Sequence, residues 1–171
     1  MVAADVDEAL QVFAAVASEG RWIGTEATAD WEERRAGWEA GIGDAALLSL
    51  VVVAPDGTIV GNGGLELAGN GVAELGMAIG AGWRGRGIGG LLLDALLDGA
   101  RECGAHKVAL QVWPHNGRAR ALYRSRGFAE EGRLRRHYRR ASGELWDAIV
   151  MGLVLDHSSA GSRFGDEPML A

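Results

Sequence analysis

One stretch constrains this chain more than any other: Gly80-Ala81-Gly82-Trp83-Arg84-Gly85-Arg86-Gly87-Ile88-Gly89-Gly90. It follows an apolar run, Ala73 to Ile79. It precedes an amphipathic run in which Ile88, Leu92, Ala95, Leu96 and Gly99 recur at helical spacing, with Leu91 and Leu93 widening the stripe. A strand must therefore turn sharply into a helix, and glycine tolerates the backbone conformations such a turn needs. The first turn of a helix exposes N–H groups that have no intrahelical acceptor and carry partial positive charge. Glycines let the oxygens of an anion close on that backbone, and Arg84 and Arg86 add two full charges. The pattern suits a pyrophosphate better than a turn that merely packs.

Three phosphate sites compete for this turn. Gly85, Gly87 and Gly90 fit the dinucleotide spacing G-x-G-x-x-G. That fingerprint expects an acidic residue about 20 positions on, at the end of the next strand. Here the strand ends Val112-Trp113-Pro114-His115-Asn116, with no acid. A G-x-x-x-x-G-K-[ST] loop is absent, which excludes the P-loop. The third candidate depends on the rest of the chain.

Asp5 to Glu19 has helical periodicity. A loop follows (Gly20 to Glu26), and Thr28 or Asp30 can cap a second helix reaching about Ile42. Leu47 to Val53, a Pro55-Asp56-Gly57 turn and a return from Ile59 predict a hairpin, with Gly61, Gly63 and Gly64 marking a bulge. Asn70-Gly71 turns into a third strand, Ala73 to Ile79. After the glycine-rich turn and its helix come a strand (Lys107 to Trp113) and a short helix capped by Asn116. Two further strands run from Gly127 to about His137 and from Glu144 to Leu155. The expectation is one α/β domain over residues 1–155, built on a mixed, largely antiparallel sheet flanked by helices. Residues 156–171 read as a poorly ordered tail.

The 171 residues are 48% hydrophobic and 23% charged, enough apolar surface for a core without staples. Cys103 is the only cysteine and the four histidines are scattered, so no metal is expected. No apolar run suits a membrane span and no signal peptide precedes the domain, so a cytoplasmic protein is expected. The net charge of −6 hides an asymmetry. Residues 1–83 hold three Arg against thirteen acids, whereas residues 84–140 hold twelve Arg and Lys107 against five. A basic middle in an acidic chain favours a local anionic ligand over general nucleic-acid binding.

Arg84-x-x-Gly87-x-Gly89 resembles the acyl-CoA pyrophosphate motif of the GNAT N-acetyltransferase superfamily. Further along, Asn116-Gly-Arg-Ala119-Arg-Ala-Leu122-Tyr123-Arg-Ser-Arg-Gly127-Phe128 is similar to the family's N-x-x-A-x-x-L-Y-x-x-x-G-F stretch. Glu74 to Ile79 stands where the family has its splayed fourth strand, and the match spans roughly residues 47–155. Gly80-Ala81-Gly82 departs from the proline-containing turn of many members.

The resemblance implies a GNAT-like fold with splayed central strands, acetyl-CoA as cosubstrate and an amine acceptor, and it leaves a homodimer open. It places acetyl-CoA on Met77, Ala78, Ile79, Arg84, Gly85, Arg86, Gly87, Ile88, Gly89 and Gly90, with Asn116 and Arg124 contributing. Acetyl transfer needs a neutral nitrogen, and a lysine-like amine with pKa near 10.4 must lose its proton at a cost of roughly 4 to 5 kcal/mol at pH 7. The resemblance makes Glu74 the candidate base, with Glu26, His137 and Tyr138 as alternatives. It also implies main-chain N–H groups of Met77, Ala78 or Ile79 as donors to the developing oxyanion, and Tyr123 as the candidate acid for the departing thiolate. Arg118 and Arg120 share with Arg124 the region of the adenosine 3′-phosphate. Trp22 and Trp31 are candidates to shape the acceptor pocket. A non-catalytic acyl-CoA-binding module is the competing reading.

Overall fold

The computed structural model describes residues 1–155; the tail expected over residues 156–171 lies outside them. Six strands form one sheet in the order β1-β2-β3-β4-β6-β5. Their ranges are β1 Leu47–Val53, β2 Ile59–Leu67, β3 Val72–Ile79, β4 Lys107–Val112, β5 Ala129–Arg139 and β6 Leu145–Val154. All neighbours are antiparallel except β3 and β4. The helices are α1 Val6–Ser18, α2 Trp31–Ala40, α3 Ile88–Glu102 and α4 Gly117–Ser125.

Local chemistry sets these boundaries. Asp30 caps α2 by accepting from Glu33 N at 2.9 Å, and Asn116 caps α4 by accepting from Ala119 N at 3.2 Å. In the β1–β2 turn, Asp56 accepts from Thr58 N at 3.1 Å, and Gly57 takes a φ of +91° that suits glycine. The bulge expected near the β2 glycines lies beside Gly61, where Val52 pairs with Gly61 and Val53 with Ile59, leaving Val60 without a partner.

The expected face of α3 needs a correction. Leu91 is 71% exposed, and Ala95 also faces solvent. The buried stripe is Leu92, Leu93, Leu96, Leu97 and Ala100. It packs with Leu65, Leu75, Val108, Leu110 and Met151 in the main cluster. Positions 93, 97 and 100 complete a helical face that Leu91 cannot join. Cys103 is exposed at the end of α3. The opposite face of the sheet is covered by α1, which contacts β2 and β3 and keeps Val60, Asn62 and Ala78 buried away from that cluster.

β3 and β4 pair only through Val72, Ala73 and Glu74 with Lys107, Val108 and Ala109. Beyond Glu74 the two strands diverge, and the gap between them is the centre of the site.

Candidate active site

A cavity of about 910 Å³ runs through the gap and is lined by residues from both faces of the sheet. Its two halves are built differently. On one side stand the α3 turn, the end of β3 and the inner face of α4. On the other stand the α1–α2 loop, α2, the β2–β3 floor and Tyr138 of β5.

The α3 turn shows why the sequence needs its glycines. Gly85 and Gly87 adopt φ of +79° and +82°. Gly90 N and Leu91 N already bond to Gly87 O. Among the described residues, none of the five N–H groups of Gly85, Arg86, Gly87, Ile88 and Gly89 has a protein acceptor. Five consecutive free amides form a concave, electropositive cradle. Gly85, Gly87, Gly89 and Gly90 line the cavity.

The arginines are arranged otherwise than expected. Arg84 gives its guanidinium to Glu19 at 2.6 and 2.8 Å and its Nε to Ile79 O at 2.8 Å. It braces the turn, and its charge is neutralised. Arg86 stands over the Trp83 ring, outside the cavity lining, as does Ile88. Arg124 pairs with Glu130 and also lies outside the lining, as does Arg120, which pairs with the same carboxylate. Arg118 is the residue of α4 whose guanidinium faces Gly85 and the cavity. Arg120 and Arg124, four residues apart, share one face of α4 and Arg118 lies on another, and sequence spacing alone could not show which face meets the turn.

Met77, Ala78 and Ile79 all line the cavity. Gly80 donates its N–H to Val60 O at 2.9 Å, which fixes the phase of β3. Residues in step with Gly80, including Ala78, direct their N–H at β2. Met77 and Ile79, out of step, direct theirs into the gap. Ile79 O agrees with that phase, since it accepts from Arg84 rather than from β2.

Tyr123 is buried to 7% exposure, its ring against Phe128, and it lines the cavity. Burial pushes its phenol up to about 12, which keeps it protonated. Its hydroxyl makes no hydrogen bond to any described residue. Asn116 also lines the cavity while capping α4.

Glu74 lines the other half, directly opposite Glu66 of β2. Sequence reasoning passed over Glu66, although its alternation with Leu65 and Leu67 could have placed it on the open face. The alternative base Glu26 lies elsewhere: it accepts from Ala141 N at 2.8 Å and pairs with Arg140 at 3.3 Å. Arg140, a residue sequence reasoning missed, is buried to 4%, sits over Trp113 and Trp146, and donates to Gly24 O at 2.9 Å. It ties the α1–α2 loop to the β5–β6 hairpin. His137 packs on Tyr138 outside the lining, whereas Tyr138 lines the cavity and donates to Gln111 Oε1 at 2.9 Å. Trp22 is in the lining; Trp31 packs on Phe13 instead.

The acetyltransferase (GNAT) family model matches residues 10–128. N-alpha-acetyltransferase RimI of Mycobacterium tuberculosis is 51% identical over 69 residues, which is 40% of this chain and 40% of that protein's length. Ribosomal-protein-alanine N-acetyltransferase from Brucella melitensis superposes with a TM-score of 0.81 at 27% identity, covering 91% of this chain and 97% of that one. The yncA protein of Salmonella typhimurium, solved with its cofactor acetyl-CoA, superposes with a TM-score of 0.81 at 22% identity over 96% of each chain. A family model covering most of the chain, on a six-stranded sheet that opens beside a glycine-rich helix start, makes this chain a member of the GNAT acetyltransferase family.

Proposed function

We propose that the protein is an acetyl-CoA-dependent N-acetyltransferase that moves an acetyl group onto a primary amine by direct attack in a ternary complex. The observation that carries this reading is the run of five unpaired N–H groups at residues 85–89, placed at one end of the gap into which Met77 and Ile79 aim theirs. The cradle matches a pyrophosphate. The two gap-facing amides match a carbonyl oxygen that gains negative charge. Arg118, which pairs with no carboxylate among the described residues, adds a positive charge at the rim.

The residues divide the chemistry. The amine nitrogen forms a C–N bond as the thioester C–S bond breaks. Glu74, across the floor of the acceptor half, is suited to take the ammonium proton, directly or through water. Tyr123 is suited to give a proton to the thiolate, because a phenol held near 12 is neutral at working pH. Acetylation of an amine is in keeping with the Mycobacterium and Brucella relatives, both named as N-acetyltransferases.

The test is release of CoA thiol from acetyl-CoA with a panel of amines, amino acids and peptide N-termini. Acceptor-dependent release, with one acetylated amine per thiol, is the expected result. A folded protein that binds acetyl-CoA and releases no thiol with any acceptor would reduce it to an acyl-CoA-binding module.

A further inference from the structure

The acceptor half of the cavity holds three charged side chains that have no ion-pair partner among the described residues. Glu66 and Glu74 face each other across β2 and β3, and neither has an ion pair or hydrogen bond among the described residues. Like charges directly opposed on paired strands are destabilising, so the pair favours a cation brought from outside. Arg34 of α2 lines the same half. One terminal nitrogen donates to Thr25 Oγ1 at 3.3 Å, and the guanidinium carbon lies 5.1 Å from the Phe13 ring centre. No carboxylate reaches it among the described residues.

The neighbouring arginines show the contrast. Arg35 pairs with Asp7 and Glu39, and Arg84 pairs with Glu19. Arg34 is held by a ring and a hydroxyl, and its fork has no anion to match. Its Nε is buried without a partner. The same holds for Asn62 Oδ1 and Trp113 Nε1, and both of those residues also line this cavity. All three orphaned atoms belong to residues of the cavity wall and are closed to water, so solvent does not supply the bonds they lack.

We infer that the acceptor is a zwitterion, a primary amine that also carries a carboxylate, with Arg34 and Thr25 as the carboxylate subsite and the amine drawn to the Glu66–Glu74 side. This rests on the N-acetyltransferase reading of the same cavity. An all-cationic polyamine would set like charge against Arg34. A neutral peptide N-terminus would leave Arg34 unpaired. A guanidinium fork matches a carboxylate in two parallel hydrogen bonds. The carboxylate can belong to a free amino acid or to an acidic residue next to a peptide N-terminus.

Two matched pairs separate these sources: L-leucine with L-leucinamide, and the peptide Ala-Glu-Ala-amide with Ala-Gln-Ala-amide. Each acceptor is assayed for kcat/KM by thiol release and for binding by tryptophan fluorescence in the presence of CoA. The measurement is a cycle: the carboxylate-to-carboxamide ratio in wild type divided by that ratio in Arg34→Gln. Differences in amine basicity between paired acceptors cancel in it. At least about tenfold is expected for one pair, since charge-assisted hydrogen bonds are the stronger class. The pair that shows it identifies the source. Arg34→Lys should retain part of the effect. Unchanged acetyl-CoA affinity, set by the other half, certifies that the variants fold. A cycle near one for both pairs overturns the inference while leaving the transferase reading intact. Thiol release absent with these four acceptors and with the whole amine panel breaks the transferase reading instead, and the binding cycle then still decides the carboxylate subsite.

Discussion

The two halves of the cavity are made of different material. The α3 side is made of main chain: five amides of one turn and two of one strand, with side chains mainly as braces. The acceptor side is made of side chains drawn from a loop, α2, two strands of the floor and the last hairpin. A main-chain site depends on where glycine permits the backbone to go, and tolerates change at most other positions. A side-chain site depends on the identity of each residue. The first half is therefore suited to a constant ligand, and the second to one that differs between relatives.

That contrast can be broken by experiment. Gly87→Asp should have the largest effect. The position has a positive φ that aspartate tolerates better than most residues, and a Cβ there meets nothing within 4 Å. The fold should survive, while a carboxylate about 4 Å from a phosphate costs ~4 kcal/mol at an effective dielectric near 20, on the order of 1,000-fold in acetyl-CoA affinity. Titration by tryptophan fluorescence checks it, and wild-type affinity in a folded variant would refute the cradle.

Tyr123→Phe comes next. The ring keeps its packing, so acetyl-CoA affinity should hold while kcat falls on the order of 100-fold. The phenol sits near 12 in the fold, so its ionisation should produce no alkaline loss of wild-type activity below about pH 10. A pH–rate profile that falls well before that would assign the acid elsewhere.

Glu74→Gln should lower kcat/KM about tenfold at neutral pH and recover in part at alkaline pH, where solvent deprotonates more of the amine. An unshifted profile would clear Glu74 as base. A smaller effect separates the arginines of α4. Arg118→Ala should weaken acetyl-CoA binding about fivefold, in keeping with ~1 kcal/mol for an exposed charge pair, and Arg124→Ala should leave it unchanged. The reverse result would mean that the Glu130 pair opens on binding.

The smallest effect lies in the brace between the halves. Hydrogen bonding from Arg84 holds the Glu19 carboxyl below the ordinary glutamate range. A depressed carboxylate contributes stability above its unfolded pKa and loses it as pH falls through the folded one. Glu19→Gln should flatten the acid limb of the Tm profile below about pH 5 by a few degrees at most, because the pair is partly exposed. An identical acid limb would mean that the pair contributes nothing to stability.

The contrast also explains what could be read before the fold was known. Turn residues and periodicity marked every strand and helix to within a few residues, and glycine spacing marked the cradle, because those signals are local. The buried stripe of α3 shifted because Leu91 and Leu93 differ only in which neighbour they meet. Arg118 and Arg124 differ in the same way. Glu66 carried a local signal in its alternation with Leu65 and Leu67, but nothing local showed the carboxylate opposite it; Arg34 and Arg140 left none, since what sets each apart is a residue distant in sequence. Arg140 shows it best: 116 positions separate it from Gly24, whose carbonyl it holds.

The sheet can also be regarded as two leaves, β1–β3 and β4–β6–β5, hinged on three residue pairs at one end. Main-chain groups beyond the hinge have no rungs to share, so thermal breathing of the molecule should concentrate there. A ligand bonded to both leaves acts as the missing rungs. At 100 times its Kd such a ligand adds about 2.7 kcal/mol to the stability of the folded state. In amide exchange, the protons of Met77 and Ile79 should then pass from among the faster in the sheet to among the slower, and hinge and free edge should exchange as one unit.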